Sequence, residues 1–348
     1  VSGDRVNDLW KSVDDLVDRA PTAADLVAHR LFMHAVRRYR ALGRPLPHVL
    51  AALEVQTAAR MLALEPFLER LRNASTAPLL VLKGPEIAFR YPDPVLRPFT
   101  DVDVLTPDAH AVRDELISAG FFEVGAAEKY AGIHHLRPLA FGALPLVVEL
   151  HNAPKWIDRN PPPVADLFSL AVPAALPIDG FLALPPGPHG LIVAAHAWAH
   201  TPLRRVSDLL DVEVLLETGD ARRAADQLAG PWGMARVWAA TTDAADAVLS
   251  GGRLPLTMRT WARNVRLVRD RSVLENHLER WVSCWWELPS RRAAVARTAG
   301  QIARDLTPSP GEGWRTKLRR TLRALRHAGT RRGEHDHALR REASSRQD

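Results

Sequence analysis

Apolar positions along this chain follow two periods, and the change between them divides it. Through residue 75 they recur at three- and four-residue intervals. AADLVAHRLFMHAVRRYRAL and VLAALEVQTAARMLALEPFLERLR each carry a stripe of helical spacing. Ser75, Thr76 and Pro78 break that pattern. APLLVLKG is then a short apolar run closing on Gly84, as a buried strand does, and Pro85 suits the first turn of a helix, PEIAFRY. Pro92, Pro94 and Pro98 predict a turn-rich loop, and TDVDVL alternates polar and apolar like a half-buried strand. PDAHAVRDELISAG predicts a capped helix that stops at Gly120, with further strands expected around HHLRPL and LPLVVELHN. Beyond residue 155 the helical period returns. A proline-rich connector, from NPPPVADLF to LALPPGPHG, leads into GLIVAAHAWAHTPLRRVSDLLDVEVLLETG, and more helix is expected over about 222–249 and 256–306. PSPGEG at 308–313 reads as a linker, and the residues after Gly333 as a tail without fixed structure. The expected class is α+β: an N-terminal helical region (1–75), a small core of strands and helices (76–155), a helical region (156–307), and a basic linker, helix and tail (308–348).

Composition narrows the classes. A chain of 348 residues can form two or three packed units, and 47% apolar with 25% charged residues is ordinary for a globular protein. There is no run of 18 apolar residues to span a membrane, and VSGDRVNDLW lacks the apolar stretch of a secretory signal. The one cysteine, Cys284, rules out an intramolecular disulfide and a cysteine-built zinc site, so the cytoplasm is the expected compartment. The net charge of +6 is uneven: residues 291–348 hold 15 Lys+Arg against 6 Asp+Glu, leaving 31 against 34 elsewhere. The basic character belongs to the C-terminal end, which argues against a long nucleic acid bound across the body. It leaves WRTKLRRTLRALRH, with Trp314, Leu318, Leu322 and Leu325 on one stripe, to contact RNA or an acidic partner, or to pack on the body.

The chemistry concentrates in the strands. Asp101 and Asp103, two apart, project from one face, while Val102 and Val104 point to the other, toward a core. Paired carboxylates repel unless a cation lies between them, and such oxygen ligands suit Mg²⁺ or Mn²⁺. Glu149 lies in a second strand, VVELH, with His151 on the same face. A third carboxylate allows two metals to be bridged, one activating an acceptor and one holding a triphosphate. An isolated Asp-x-Asp is explained equally well by a solvated strand face. Here the pair follows a strand–Gly–helix unit, and Glu149 sits in an apolar run where an unpaired charge is costly.

The run LKGPEIAFRYPDPVLRPFTDVDVLTP, the helix ending SAGF, and VVELHN together resemble the uncharacterised nucleotidyltransferase family of the polymerase-β-like superfamily. HAWAH followed by RRVSDLLDVEVLL is similar to that family's downstream helix, and the resemblance covers roughly residues 60–250. It implies a polymerase-β-like core with Asp101, Asp103 and Glu149 as catalytic metal ligands. It also implies an NTP substrate whose nucleoside monophosphate passes to an acceptor as pyrophosphate leaves. Lys83-Gly84 stands where many members of the superfamily have Gly-Ser. Gly84 can admit a phosphate to the backbone at a helix start, Lys83 can supply a point charge, and Arg97 is close enough in sequence to reach a phosphate. Two other readings stay open: a nucleotide-binding module that no longer catalyses, and an RNA-directed, toxin-like nucleotidyltransferase using the basic tail.

Several side chains fall outside that set. His196 and His200, four apart, share a helix face, but Ala197 and Trp198 follow His196, so the metalloprotease HExxH pattern is absent. These histidines line the cleft opposite the carboxylates or cap the helix packing. Asp208 and Asp211 can orient Arg204 or Arg205, and His134 and His135 adjoin Arg137. Among Trp281, Trp285 and Trp286, the spacing of the first two predicts a core role.

Overall fold

The computed structural model describes residues 2–125, 134–157, 160–200, 202–249, 281, 283–288, 290–308 and 312–326. The expected N-terminal helices form α1 (Ser2–Arg19), α2 (Ala23–Ala28), α3 (Phe32–Ala41) and α4 (His48–Ala74). The expected strands at APLLVLKG, TDVDVL and LPLVVELHN form β1 (Leu80–Val81), β2 (Asp101–Leu105) and β5 (Val147–His151), with α5 (Pro85–Ala88) after the glycine turn. The strand expected around HHLRPL begins only at its last residue, as β4 (Leu139–Phe141), with an isolated bridge at His135. Helix α6 (Ala109–Ser118) is capped by the Asp108 carboxylate, which accepts from the amides of His110 and Ala111, and Gly120 ends it in the left-handed region (φ 95°).

With β3 (Phe121–Glu123), β6 (Val172–Pro173) and β7 (Leu182–Ala183), the strands join, among the described residues, one mixed seven-stranded sheet in the order β3-β4-β5-β2-β1-β7-β6. β2 and β5 lie side by side and parallel; β1 flanks β2 antiparallel. On one face Val81, Val102, Val104, Val148 and Leu150 pack on Leu64, Phe67, Leu68 and Leu71 of α4 and on Val112 and Leu116 of α6. Each such side chain, once covered, contributes about 1.5–3 kcal/mol. On the other face Leu80, Leu82 and Leu105 join a larger core with α7 (Val164–Leu170), α8 (Pro186–His200) and α9 (Val206–Leu215), to which α1 to α3 also contribute. Helices α1 to α3 and α8 to α9, from opposite sides of the strands in sequence, therefore close over the same sheet face, while the later turns of α4 cover the other.

The structure adds strands that the periodicity does not signal. β3 pairs with β4, while β6 and β7 extend the sheet beyond β1, within the stretch read as a proline-rich connector. Strands of two or three residues are too short to show alternation. The long helix expected after the connector is two: Pro202 and Leu203 (φ 49°) turn the chain between α8 and α9. The next one divides near Gly233 (φ 69°) into α10 (Gly219–Ala229) and α11 (Ala235–Leu249).

Within the helix expected over 256–306, residues 256–280 lie outside the described residues, and Arg291–Leu306 is helical. The tail after Gly333 also lies outside them. The tryptophan reading is corrected. Trp285 is exposed, and its neighbours Ser283 and Cys284 are buried, while the Trp281 indole donates to Asp305 (2.9 Å). The helix Trp314–Arg326 turns Trp314, Leu318 and Leu322 outward and covers Lys317. Among the described residues no helix is long and apolar enough to cross a membrane.

Candidate active site

The register of β2 against β5 assembles the acidic face. Asp103 lies opposite Glu149 and Leu105 opposite His151, so alternation turns Asp101, Asp103, Glu149 and His151 to the same side. That side is opposite the valines packed on α4 and α6. Asp103 and His151 are buried, and their contact is direct: His151 Nε2 to Asp103 Oδ1 is 3.0 Å. Asp101 and Glu149 are half-buried. One carboxylate oxygen each from Asp103 and Glu149 and one ring nitrogen of His151 lie within 4.8 Å of one another. Asp101, expected as a ligand, stands one strand pair back on the same face and outside that tightest group.

Crowding divides the three carboxylates. Burial works against the Asp103 charge, but the His151 hydrogen bond with the Lys83 and Arg97 charges outweighs it and brings the carboxyl down to about 2. Burial, then the charge of Asp103, raises Asp101. Burial, then Asp103 and Asp101, raises Glu149 to about 8. Asp103 thus keeps the negative charge, Asp101 is pushed toward its protonated form, and Glu149 holds a proton near neutral pH until a cation arrives. The donor set fits a divalent cation: clustered carboxylate oxygens, an imidazole, and a buried His151 Nδ1 with no partner.

The glycine turn approaches the same place. Gly84 has φ 77°, and any Cβ there would run into the backbone carbonyl oxygen of Asp101, so only glycine lets β1 end against the start of β2. Lys83 sits beside it, half-buried, with its ammonium pKa lowered by burial. Arg97, expected at a phosphate, is buried in an internal pair instead. Its Nε and Nη2 donate to Asp211 (3.1 and 2.9 Å) and its Nη1 to the Gly84 carbonyl (3.2 Å). Tyr91 completes the Asp211 shell through its hydroxyl (2.7 Å). Asp211 is therefore bound to Arg97, and the expected role toward Arg204 or Arg205 is corrected for it.

Helix α8 forms the opposite wall. Its stripe through residues 189, 193, 196 and 200 begins at buried His189, whose Nε2 is 2.7 Å from the Leu82 carbonyl at the end of β1. That anchor sets His196 and His200 two and three turns on, with their rings 4.8 Å apart. Lys155, four residues past His151, meets His200 Nε2 at 2.7 Å. Burial and then Lys83 lower the Lys155 ammonium to about 8. Lys83, Asp103, His151, Lys155 and His196 line one small cavity. Lys155 escaped the sequence reading, although it closely follows the VVELH strand. His134 and His135, given no firm role from sequence, pack as tilted rings near His151, at ring distances of 5.3 and 5.2 Å. Arg137 turns away to Glu123 (3.0 Å).

A family described as uncharacterised nucleotidyltransferases matches residues 23–249, most of the chain, and the chain belongs to it. That span holds the sheet, α8 and α9, and every side chain of the site. No curated protein and no solved structure matches the chain.

Proposed function

We propose that this protein is a metal-dependent nucleotidyltransferase with a polymerase-β-like core. It transfers a nucleoside monophosphate from an NTP to a hydroxyl, amine or phosphate on a small molecule, a peptide or protein, or RNA. The observation that carries this reading is the convergence of Asp101, Asp103 and Glu149 on one face of two paired parallel strands, beside the Gly84 turn. An acceptor atom bonds to the α-phosphorus, the bridging P–O bond to the β-phosphate breaks, pyrophosphate leaves, and the acceptor proton passes to solvent. Asp101, Asp103 and Glu149 would hold Mg²⁺ or Mn²⁺, which when bound neutralises the polyphosphate and activates the acceptor. Lys83, Lys155, His196 and His200 face that position as a cationic and polar wall for the triphosphate. Gly84 lets the backbone approach a phosphate, and Arg97 fixes the Gly84 turn through its carbonyl.

The test is labelled-NTP transfer into a lysate fractionated into RNA, protein and small molecules, with Asp103→Asn as control. Label should enter one fraction only with the parent protein, an NTP and a divalent cation. If no NTP with either metal raises the melting temperature of the parent, the reading fails.

A further inference from the structure

The carboxylates of this site do not stand alone: three imidazoles surround them. His151 shares a strand face with Glu149 and touches Asp103 at 3.0 Å. His135 is bridged in backbone register to His151, and its Nε2 lies 3.7 Å from Glu149 Oε2. The His135 Nδ1 is 2.7 Å from the Leu136 carbonyl, which can only accept, so Nδ1 carries the ring proton. In the neutral ring Nε2 then presents a lone pair on the side of the Glu149 carboxylate. His134 closes the group, its ring 4.9 Å from that of His135. A histidine whose far nitrogen donates to a backbone carbonyl has the support of a metal ligand. His151 Nδ1, buried and without a partner, marks a second ring held at the same spot.

Mg²⁺ prefers an all-oxygen shell with several waters, whereas imidazole nitrogen suits transition-metal cations. We infer that the cation this site is built for is a first-row transition ion of the Co²⁺ or Zn²⁺ kind, for which Mn²⁺ serves as the paramagnetic probe, bound through imidazole nitrogen from His151 or His135 as well as through Asp103 and Glu149. This rests on the nucleotidyltransferase reading for its purpose but concerns the identity of the ion.

The experiment loads the full chain with Mn²⁺ and records its pulsed electron-spin-echo modulation, with histidine at natural abundance and again with ¹⁵N-histidine. Nitrogen modulation that changes its nuclear signature with the label is expected. It should weaken in His135→Gln or His151→Gln, with Mn²⁺ affinity falling about 10–100-fold. Asp103→Asn should abolish the bound-Mn²⁺ signal. The labelled parent protein decides the question even if His151→Gln fails to fold. Bound Mn²⁺ without histidine nitrogen coupling would overturn the inference and leave the nucleotidyltransferase reading intact. If no divalent cation binds, with or without NTP, both fall.

Discussion

Asp103 and Asp211 are both buried carboxylates on the same side of the sheet, and their surroundings oppose each other. Asp211 is satisfied: Arg97 grips it with two donors, Tyr91 adds a third, and these outweigh burial to hold its carboxyl below the usual range. Asp103 has one imidazole contact, two carboxylate neighbours, and a partner ring with an unpaired buried nitrogen. A balanced cluster cross-links helix α9 to the Gly84 turn. An unbalanced one is the mark of a place prepared for something the chain does not itself supply.

The largest effect expected from breaking that contrast is on rate. Asp103→Asn should lower nucleotidyl transfer about a thousandfold or more, because positioning and charge neutralisation carry phosphoryl-transfer chemistry. Glu149→Gln should damage transfer more than NTP binding, and Asp101→Asn both. Stability should separate them as well. The Asp103 carboxyl is favoured as the anion, so Asp103→Asn loses a charge-assisted contact. Glu149 is disfavoured as the anion, so without metal at pH 9 Glu149→Gln should melt above the parent. An Asp103→Asn enzyme with parental turnover would remove the carboxylates from the mechanism.

At the satisfied site the loss should appear in folding instead. Asp211→Asn leaves Arg97 buried beside a neutral partner, and breaking such a pair costs about 3–5 kcal/mol. Chemical denaturation should show that loss, while Mn²⁺ affinity of the folded protein stays at the parental value. A variant that keeps its stability but loses Mn²⁺ would mean Asp211 belongs to the metal site.

Acid should weaken the fold through a third group of buried residues. Burial lowers His29 and His189 to about 4 and His34 to about 3. These rings are folded in their neutral form, against an unfolded value of 6.5, so their contribution is complete above pH 6.5. It declines as the pH falls from there toward 4, by at most about 1.4 kcal/mol per pH unit for each ring. Denaturant midpoints measured from pH 7.5 to 4.5 should fall accordingly, and His34→Phe should flatten part of the slope. A flat profile would contradict the burial of these rings.

What the sequence reveals of this contrast follows from its range. Alternation over five residues in TDVDVL and in VVELH fixes which side chains share a face, so the acidic residues could be read directly. Arg97 and Asp211 are 114 residues apart and pair only once α9 has packed, and no local period encodes that. Its charge and its closeness in sequence to the Asp-x-Asp strand therefore suggest a phosphate for Arg97. His196 and His200 were legible as one helix face, but their placement over the carboxylates depends on the His189–Leu82 contact. Lys155 had no motif of its own, and the strands at Val172–Pro173 and Leu182–Ala183 are too short to carry a pattern.

The smallest signal is the most specific to the unbalanced cluster. Burial and the charges of Asp103 and Asp101 raise Glu149 to about 8, so near pH 7 the cation-free protein holds a proton there. A cation needs the ionised carboxylate, so binding must expel that proton. Mn²⁺ titrated calorimetrically at pH 7 in buffers of different ionisation enthalpy should release close to one proton per ion. Affinity should rise with pH by at most about tenfold per unit and level off above about pH 8. Glu149→Gln should remove both the proton release and the slope, whereas Asp211→Asn should leave them in place, since Asp211 is held ionised by Arg97. Proton release that persists undiminished in Glu149→Gln would move the proton, and with it the tension in this site, to another group.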